Sequence, residues 1–224
     1  MAKSQSVSLS VIRRLPRYYR FLSDLKAAGI LRISSRELSS KMGLTASQIR
    51  QDLNCFGGFG QQGYGYNVEQ LHAEIGNILG VSKRHKTILL GAGNLGKAVA
   101  SHMDFEAKGF DLIAIFDTDK QVIGKTLRGI KIASYDTIVP FCKQNQPLVA
   151  ILCIPKESAR KASDLLVELG IKAFWNFSHY DFAVSYPGIV VENVHLGDSL
   201  MILCYRVNET LDVSGKEDEE PLET

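Results

Sequence analysis

Three glycines, Gly91, Gly93 and Gly96, follow directly on the short apolar run 87–90. Their G-x-G-x-x-G spacing suits the recognition of a phosphate. The first glycine permits a tight turn, the second lets phosphates approach the backbone, and the third lets a helix pack against the preceding strand. The amides of Ala92, Asn94 and Leu95 at the helix start would then meet the charge of a pyrophosphate. A second apolar run, 112–116, ends in Asp117, 21 residues after Gly96. An acid there accepts hydrogen bonds from adenosine ribose hydroxyls, and its charge repels a 2′-phosphate, so NADH and NAD+ are favoured over their phosphorylated forms. Two later strand ends, Ile154-Pro155 and Asn176-Phe177-Ser178, are candidates for further pocket wall.

A different chemistry lies upstream. Residues 1–85 hold 12 Lys/Arg against 5 Asp/Glu, a net of +7, whereas residues 86–224 hold 14 against 19, a net of −5. A basic module joined to a mildly acidic one points to a polyanion as partner of the first. Ser34 and Glu37 have capping-box spacing, and so do Thr45 and Gln48. They predict short helices over 35–42 and 46–54 with Gly43-Leu44 between them, a helix-turn-helix. With Leu38, Leu44, Ile49 and Leu53 inside, Ala46, Ser47, Arg50 and Gln51 point outward near the start of the second helix, with Lys41 close by. Arg reads guanine, Gln reads adenine, and Ser reaches base or phosphate. Behind them, 56–66 packs five glycines and four aromatics into eleven residues. That suits a β-hairpin wing carrying Gln62 and Tyr64.

The elements that must position these groups follow from periodicity. Leu9, Ile12, Leu15, Tyr19, Leu22 and Leu25 recur at helical spacing over 8–28, with Arg13, Arg14, Arg17 and Arg20 on the remainder. Pro16 either starts this helix or kinks it. Asn67 can cap a helix over 68–79. Strands are expected at 86–90, 112–117, 148–154, 173–176 and 189–191, and helices at 94–105, 135–143 and 157–169. This alternation gives a Rossmann-like, doubly wound parallel sheet, an α/β fold behind a winged helix-turn-helix. The run 197–207 is apolar nearly all round, so either the domain's own sheet or a second subunit must bury it. The expected division is a DNA-binding domain over 1–80, a dinucleotide domain over 81–209 and an acidic, disordered tail over 210–224.

At 45% hydrophobic and 22% charged, the composition is that of a globular protein. No stretch reaches the roughly 18 apolar residues of a membrane span. The four cysteines show no paired spacing and read as buried free thiols, which places the chain in the reducing cytoplasm. No His/Cys cluster suggests a metal.

Over residues 8–209 the chain resembles the Rex family of redox-sensing transcriptional repressors. The resemblance is carried by Ile12-Arg13-Arg14-Leu15-Pro16-Arg17-Tyr18, by Gln48-Ile49-Arg50-Gln51-Asp52-Leu53, by the wing and the glycine motif, and by Phe116-Asp117, Ile154-Pro155, Asn176-Phe177 and Glu192-Asn193-Val194. It implies a homodimer on a palindromic, A/T-rich double-stranded DNA operator, with the terminal helix swapped into the partner subunit and release when NADH rises. Arg14, Arg17, Lys41, Thr45 and Gln48 join the DNA-contact candidates, and Arg20 and Asp198 become candidates for a redox-dependent contact between domains. The chain departs from the family in having Gln61-Gln62 where a basic wing tip is expected, and His102 where a Tyr is expected. The rival readings are an NAD-dependent oxidoreductase, with His179 and Asp181 as its only nearby acid–base pair, and a CoA- or nucleotide-binding scaffold.

Overall fold

The computed structural model describes residues 7–57, 60–61, 64–182 and 186–217. The chain divides into two compact units, Met1–Arg84 with Ala107–Gly109, and His85–Glu106 with Phe110–Thr224.

In the first unit, helix α1 (Leu9–Ala27) runs through Pro16. It buries Val11, Leu15, Tyr18, Leu22 and Leu25, while Leu9 is exposed. The buried face is thus displaced from the expected one: Tyr18, not Tyr19, points fully inward. Strand β1 (Arg32–Ile33) is unanticipated. Helix α2 (Ser35–Met42) opens with both halves of the Ser34–Glu37 capping box and closes on Gly43 in a left-handed conformation. Helix α3 (Ala46–Asn54) is capped by Thr45, whose hydroxyl accepts from the Gln48 amide at 3.1 Å. Strands β2 (Gly60–Gln61) and β3 (Gly65–Asn67) form the expected hairpin, and β1 joins it in the order β1-β3-β2. Helix α4 (Val68–Leu79) starts at Asn67, whose carboxamide oxygen accepts from the Gln70 amide at 2.8 Å. Asn67→Ala is expected to cost about 1 kcal/mol, as lost caps do, read as a lower urea midpoint at unchanged m-value. Leu15, Tyr18, Leu22, Leu38, Ile49, Leu53, Leu71 and Ile75 close one core.

The second unit is built on strands β4 (His85–Leu90), β5 (Phe110–Asp117), β6 (Thr126–Leu127), β7 (Ile130–Ser134), β8 (Val149–Leu152), β9 (Ala173–Asn176) and β10 (Val190–Asn193). They lie in the order β10-β9-β8-β4-β5-β7-β6, parallel except for the β6–β7 hairpin, an addition to the expected strands. Helices α5 (Asn94–His102), α6 (Ile138–Asn145) and α7 (Lys156–Glu168) connect the strands. Alternate residues along β4 enter different cores. Ile88 and Leu90 pack with residues of α6 and α7, and Leu89 packs with Val99 and Ala100 of α5. Both sheet faces are therefore covered, as a doubly wound sheet requires.

Three local expectations are corrected. Helix α5 ends at His102 and not near residue 105, because Met103 turns to extended backbone. Cys142 is buried, but Cys55 and Cys204 are exposed. Helix α8 (Leu196–Glu217) runs past residue 209 into the segment expected to be a disordered tail. The Thr210 hydroxyl donates to Arg206 O one turn back at 2.9 Å. No described helix is long and apolar enough to cross a membrane.

Candidate functional site

The β4–α5 turn is fixed by backbone bonds on both sides. The Gly91 amide donates to Phe116 O at 2.8 Å, and the Cys153 amide donates to Leu90 O at 2.9 Å. These two bonds lie where strand order reverses, with β5 on one side of β4 and β8 on the other, the usual ligand crevice of such sheets. Gly91 has φ +95, and a Cβ on it would meet Cys153 O at 2.4 Å. A Cβ on Gly96 would lie 1.7 Å from Gly91 O. Those two glycines serve close packing. Gly93 differs: a Cβ there would meet nothing within 4 Å. The open space in front of the α5 amides is where a pyrophosphate would lie, and α5 has no side-chain cap to compete for them.

A cavity of about 610 Å³ opens at this turn. Gly91, Gly93, Asp117, Ile154 and Pro155, all expected, line it. Asp117 is preorganised, its Oδ2 accepting from the Ala92 amide at 2.5 Å and its Oδ1 from the Asp119 amide at 2.8 Å. Asn94 and Leu95 are exposed at the helix start, and Gly96 is buried beneath it. These residues fit a dinucleotide: amides for phosphates, a carboxylate for ribose, and Ile154 and Pro155 as an apolar wall. Asn176 and Phe177 do not line the cavity. The Asn176 carboxamide instead donates to Tyr180 O at 2.7 Å and to Asn193 Oδ1 at 2.8 Å, tying the end of β9 to that of β10. Sequence reasoning missed Tyr135, Ser158, Lys161 and Leu165, which line the other side. Only the facing of α7 toward the cavity reveals the last three.

Burial pushes the Cys153 thiol up to about 12, so it stays protonated at the cavity wall. His179 lies outside the cavity, its ring stacked on His195 at 4.7 Å. Among the described residues no group of three or more His, Cys, Asp or Glu could hold a metal.

In the first unit, Thr45, Ser47, Arg50 and Gln51 are exposed at α3, and Ala46 is half-buried. Arg50 Nη1 donates to Ser35 Oγ at 3.1 Å, and Lys41 Nζ stands 5.9 Å from the Phe21 ring centre. Arg17 and Tyr64 are exposed, while Gln62 lies outside the described residues. Arg14 and Gln48, expected among the DNA contacts, are half-buried and both bond Asp52. Arg14 donates from Nε and Nη2 to the two carboxylate oxygens of Asp52 at 2.6 and 2.7 Å. Gln48 Nε2 adds a bond at 2.8 Å and Tyr18 Oη one at 3.0 Å. Asp52 is 1% exposed.

Burial alone would raise the pKa of Asp52, but the bonds from Arg14, Gln48 and Tyr18 outweigh it and hold the carboxyl below its ordinary value. A depressed folded pKa stabilises above the unfolded pKa, about 4, and that contribution disappears as pH falls through the folded value. The melting temperature should therefore be insensitive to this group from pH ~8 to ~5 and fall in acid. Asp52→Asn should flatten that acid limb in circular-dichroism melts. Arg20, His102 and Asp198, the three switch candidates, are each exposed, on α1, at the end of α5 and in the first turn of α8.

Comparison with known proteins matches both units. A family described as "Putative DNA-binding protein N-terminus" matches residues 6–54, and the "CoA binding domain" family matches residues 82–180. The chain is 53% identical over 209 residues to the redox-sensing transcriptional repressor Rex of Thermoanaerobacter pseudethanolicus, covering 93% of each chain. It is 51% identical over 211 residues to the protein of that name from Caldicellulosiruptor saccharolyticus, covering 94% of this chain and 96% of that one. Among solved structures, RSP in complex with β-NAD+ and operator DNA superposes with a TM-score of 0.84 at 50% identity, covering 96% of this chain and 99% of that one. RSP in complex with β-NADH gives 0.85 at 48% identity, covering 94% and 99%.

Proposed function

Because the chain belongs to the Rex family of redox-sensing transcriptional repressors, we propose that it binds operator DNA through its first unit and releases it when NADH occupies its second. The observation that carries this reading is that a half-identical relative covering nearly the whole chain was solved with both operator DNA and β-NAD+. The chain's own geometry supports it at both ends: a capped helix-turn-helix with a wing, and a cavity fitted to a dinucleotide.

The proposed division of labour is DNA reading by residues 1–80 and dinucleotide binding by 81–209. The α5 amides would hold the pyrophosphate, Asp117 the adenosine ribose, and Ile154 and Pro155 the wall toward the nicotinamide. For DNA, Ser47, Arg50 and Gln51 are assigned to base edges, and Arg17, Lys41, Thr45 and Tyr64 to the backbone. Arg20, His102 and Asp198 are kept as the residues that pass the signal.

A homodimer follows from the same reading. On α8, Leu196, Leu200, Met201, Ile202, Leu203, Tyr205 and Leu211 are all more than half exposed. An apolar helix of this kind calls for a partner, and two-fold operators call for two recognition helices. The charged ring of NAD+ is costly to bury beside apolar side chains and the neutral ring of NADH is not, which gives the pocket a basis for telling them apart. The cytoplasm is the compartment where both ligands meet such a protein. An oxidoreductase is disfavoured, because the one candidate pair sits outside the cavity and the thiol in its wall is neutral. The match to CoA-binding domains keeps a nucleotide scaffold as the second reading.

The test is fluorescence anisotropy of a labelled palindromic A/T-rich duplex, with NADH or NAD+ titrated in. NADH is expected to release the duplex at concentrations where NAD+ does not. Equal response to both, or release by CoA alone, would overturn the redox reading.

A further inference from the structure

Asp52 is the one charged side chain among the buried residues described. It sits on α3, a helix of nine residues whose outer face presents Ser47, Arg50 and Gln51. So short a helix does not hold itself in place; its packing does. The apolar part of that packing, through Ile49 and Leu53, is non-directional. The polar part is not. Four donors converge on one carboxylate at 2.6 to 3.0 Å, three of them from α1, 34 and 38 residues away in sequence. The Arg14 pair is bidentate, a planar fork on a planar acceptor, which defines an orientation as well as a distance.

A buried ion pair of this kind is a poor source of stability, since well-packed apolar residues of similar volume often do as well or better. Its distinctive property is direction. We propose that Asp52 is a positioning residue for DNA readout: it fixes the rotation of α3 against α1 and so determines where Arg50 and Gln51 meet the base edges. Arg14 and Gln48 act through it, as part of the mount and not as readers. This rests on the DNA-binding reading above.

The experiment uses the full-length chain and a duplex selected by the wild-type protein from a random pool, with an unrelated duplex of equal length beside it. Two variants are compared, Asp52→Asn and the paired replacement Arg14→Met with Asp52→Leu. The pair removes the buried charges together and leaves no unpaired charge; the Tyr18 hydroxyl and the Gln48 carboxamide lose their acceptor, a smaller cost than an orphaned ion, so the variant is expected to fold with a lower melting temperature. In both, affinity for the selected duplex should fall about tenfold or more, the scale of one misplaced base contact. Affinity for the unrelated duplex should stay within about threefold, because it rests on phosphate contacts. NADH affinity, read by its own fluorescence, should not move.

A folded paired variant that keeps the wild-type ratio between the duplexes overturns the proposal. So does an equal loss on both duplexes, which would make Arg14 a phosphate contact. Should the paired variant fail to fold, Arg14→Lys keeps the charge and loses the fork, and is expected to lower the ratio in a chain that still folds, at a somewhat lower melting temperature; an unchanged ratio overturns the proposal. If the wild-type chain selects no duplex at all, the DNA-binding reading itself fails, a result distinct from any of these.

Discussion

Replacing Gly93 by valine is expected to leave the protein folded and DNA-competent but blind to NADH. Gly93 has φ −69 and ψ −168, extended backbone that a β-branched residue adopts readily. A Cβ there meets no atom within 4 Å, so the new side chain starts into open space. The isopropyl group would instead occupy the space through which phosphates approach the α5 amides. Losing two charge-assisted bonds at about 1.5–3 kcal/mol each implies at least about a hundredfold loss of NADH affinity. The duplex should then stay bound at NADH concentrations that release it from the wild type. Gly96→Ala makes the contrasting control. Its Cβ would collide with the Gly91 carbonyl, so α5 must shift away from β4, and both melting temperature and NADH affinity should fall. Unchanged NADH affinity in Gly93→Val, measured by fluorescence titration, would place the pyrophosphate elsewhere.

The second large effect is expected on α8. Leu196, Leu200, Leu203, Val207 and Leu211 recur at spacings of three and four along one side and are exposed. Replacing Leu200 and Leu203 together by glutamate introduces two charges into that stripe and removes nothing from the cores within the chain. Sedimentation should shift from dimer to monomer. Operator affinity should fall by about 10²–10⁴, because each half-site is then held alone and the second contact no longer benefits from tethering. A variant that still sediments as a dimer and binds normally would move the subunit interface to another face.

What the sequence disclosed follows the range of the interactions involved. Caps act over three residues, so Ser34 with Glu37, Thr45 with Gln48 and Asn67 with Gln70 announce helices that begin where expected. The glycine motif and Asp117 belong to one βαβ unit, and their spacing alone places them around the cavity. Strand β1 was invisible because two residues become a strand only by pairing with Tyr66 and Asn67, more than thirty positions on. The buried face of α1 turned on whether Tyr18 or Tyr19 points inward, and both fit a helical period. Asp52 decides it by accepting from Tyr18 Oη, a bond that sequence spacing does not show. The same carboxylate accepts from Arg14 and Gln48, which sequence spacing does not show either. Lys161 and Ser158 enter the cavity because α7 packs beside β8, a tertiary fact with no motif of its own.

These elements converge on one claim, that the DNA-binding and NADH-binding states of this chain exclude each other. Binding linkage makes that claim reciprocal: the factor by which NADH weakens the operator complex must equal the factor by which operator weakens NADH binding. The direct measurement is NADH affinity by fluorescence with and without saturating duplex, at fixed salt, beside duplex affinity with and without saturating NADH. The same weakening is expected in both directions, about 5- to 150-fold, the usual range for coupled sites. NADH affinity unchanged by saturating operator would contradict it.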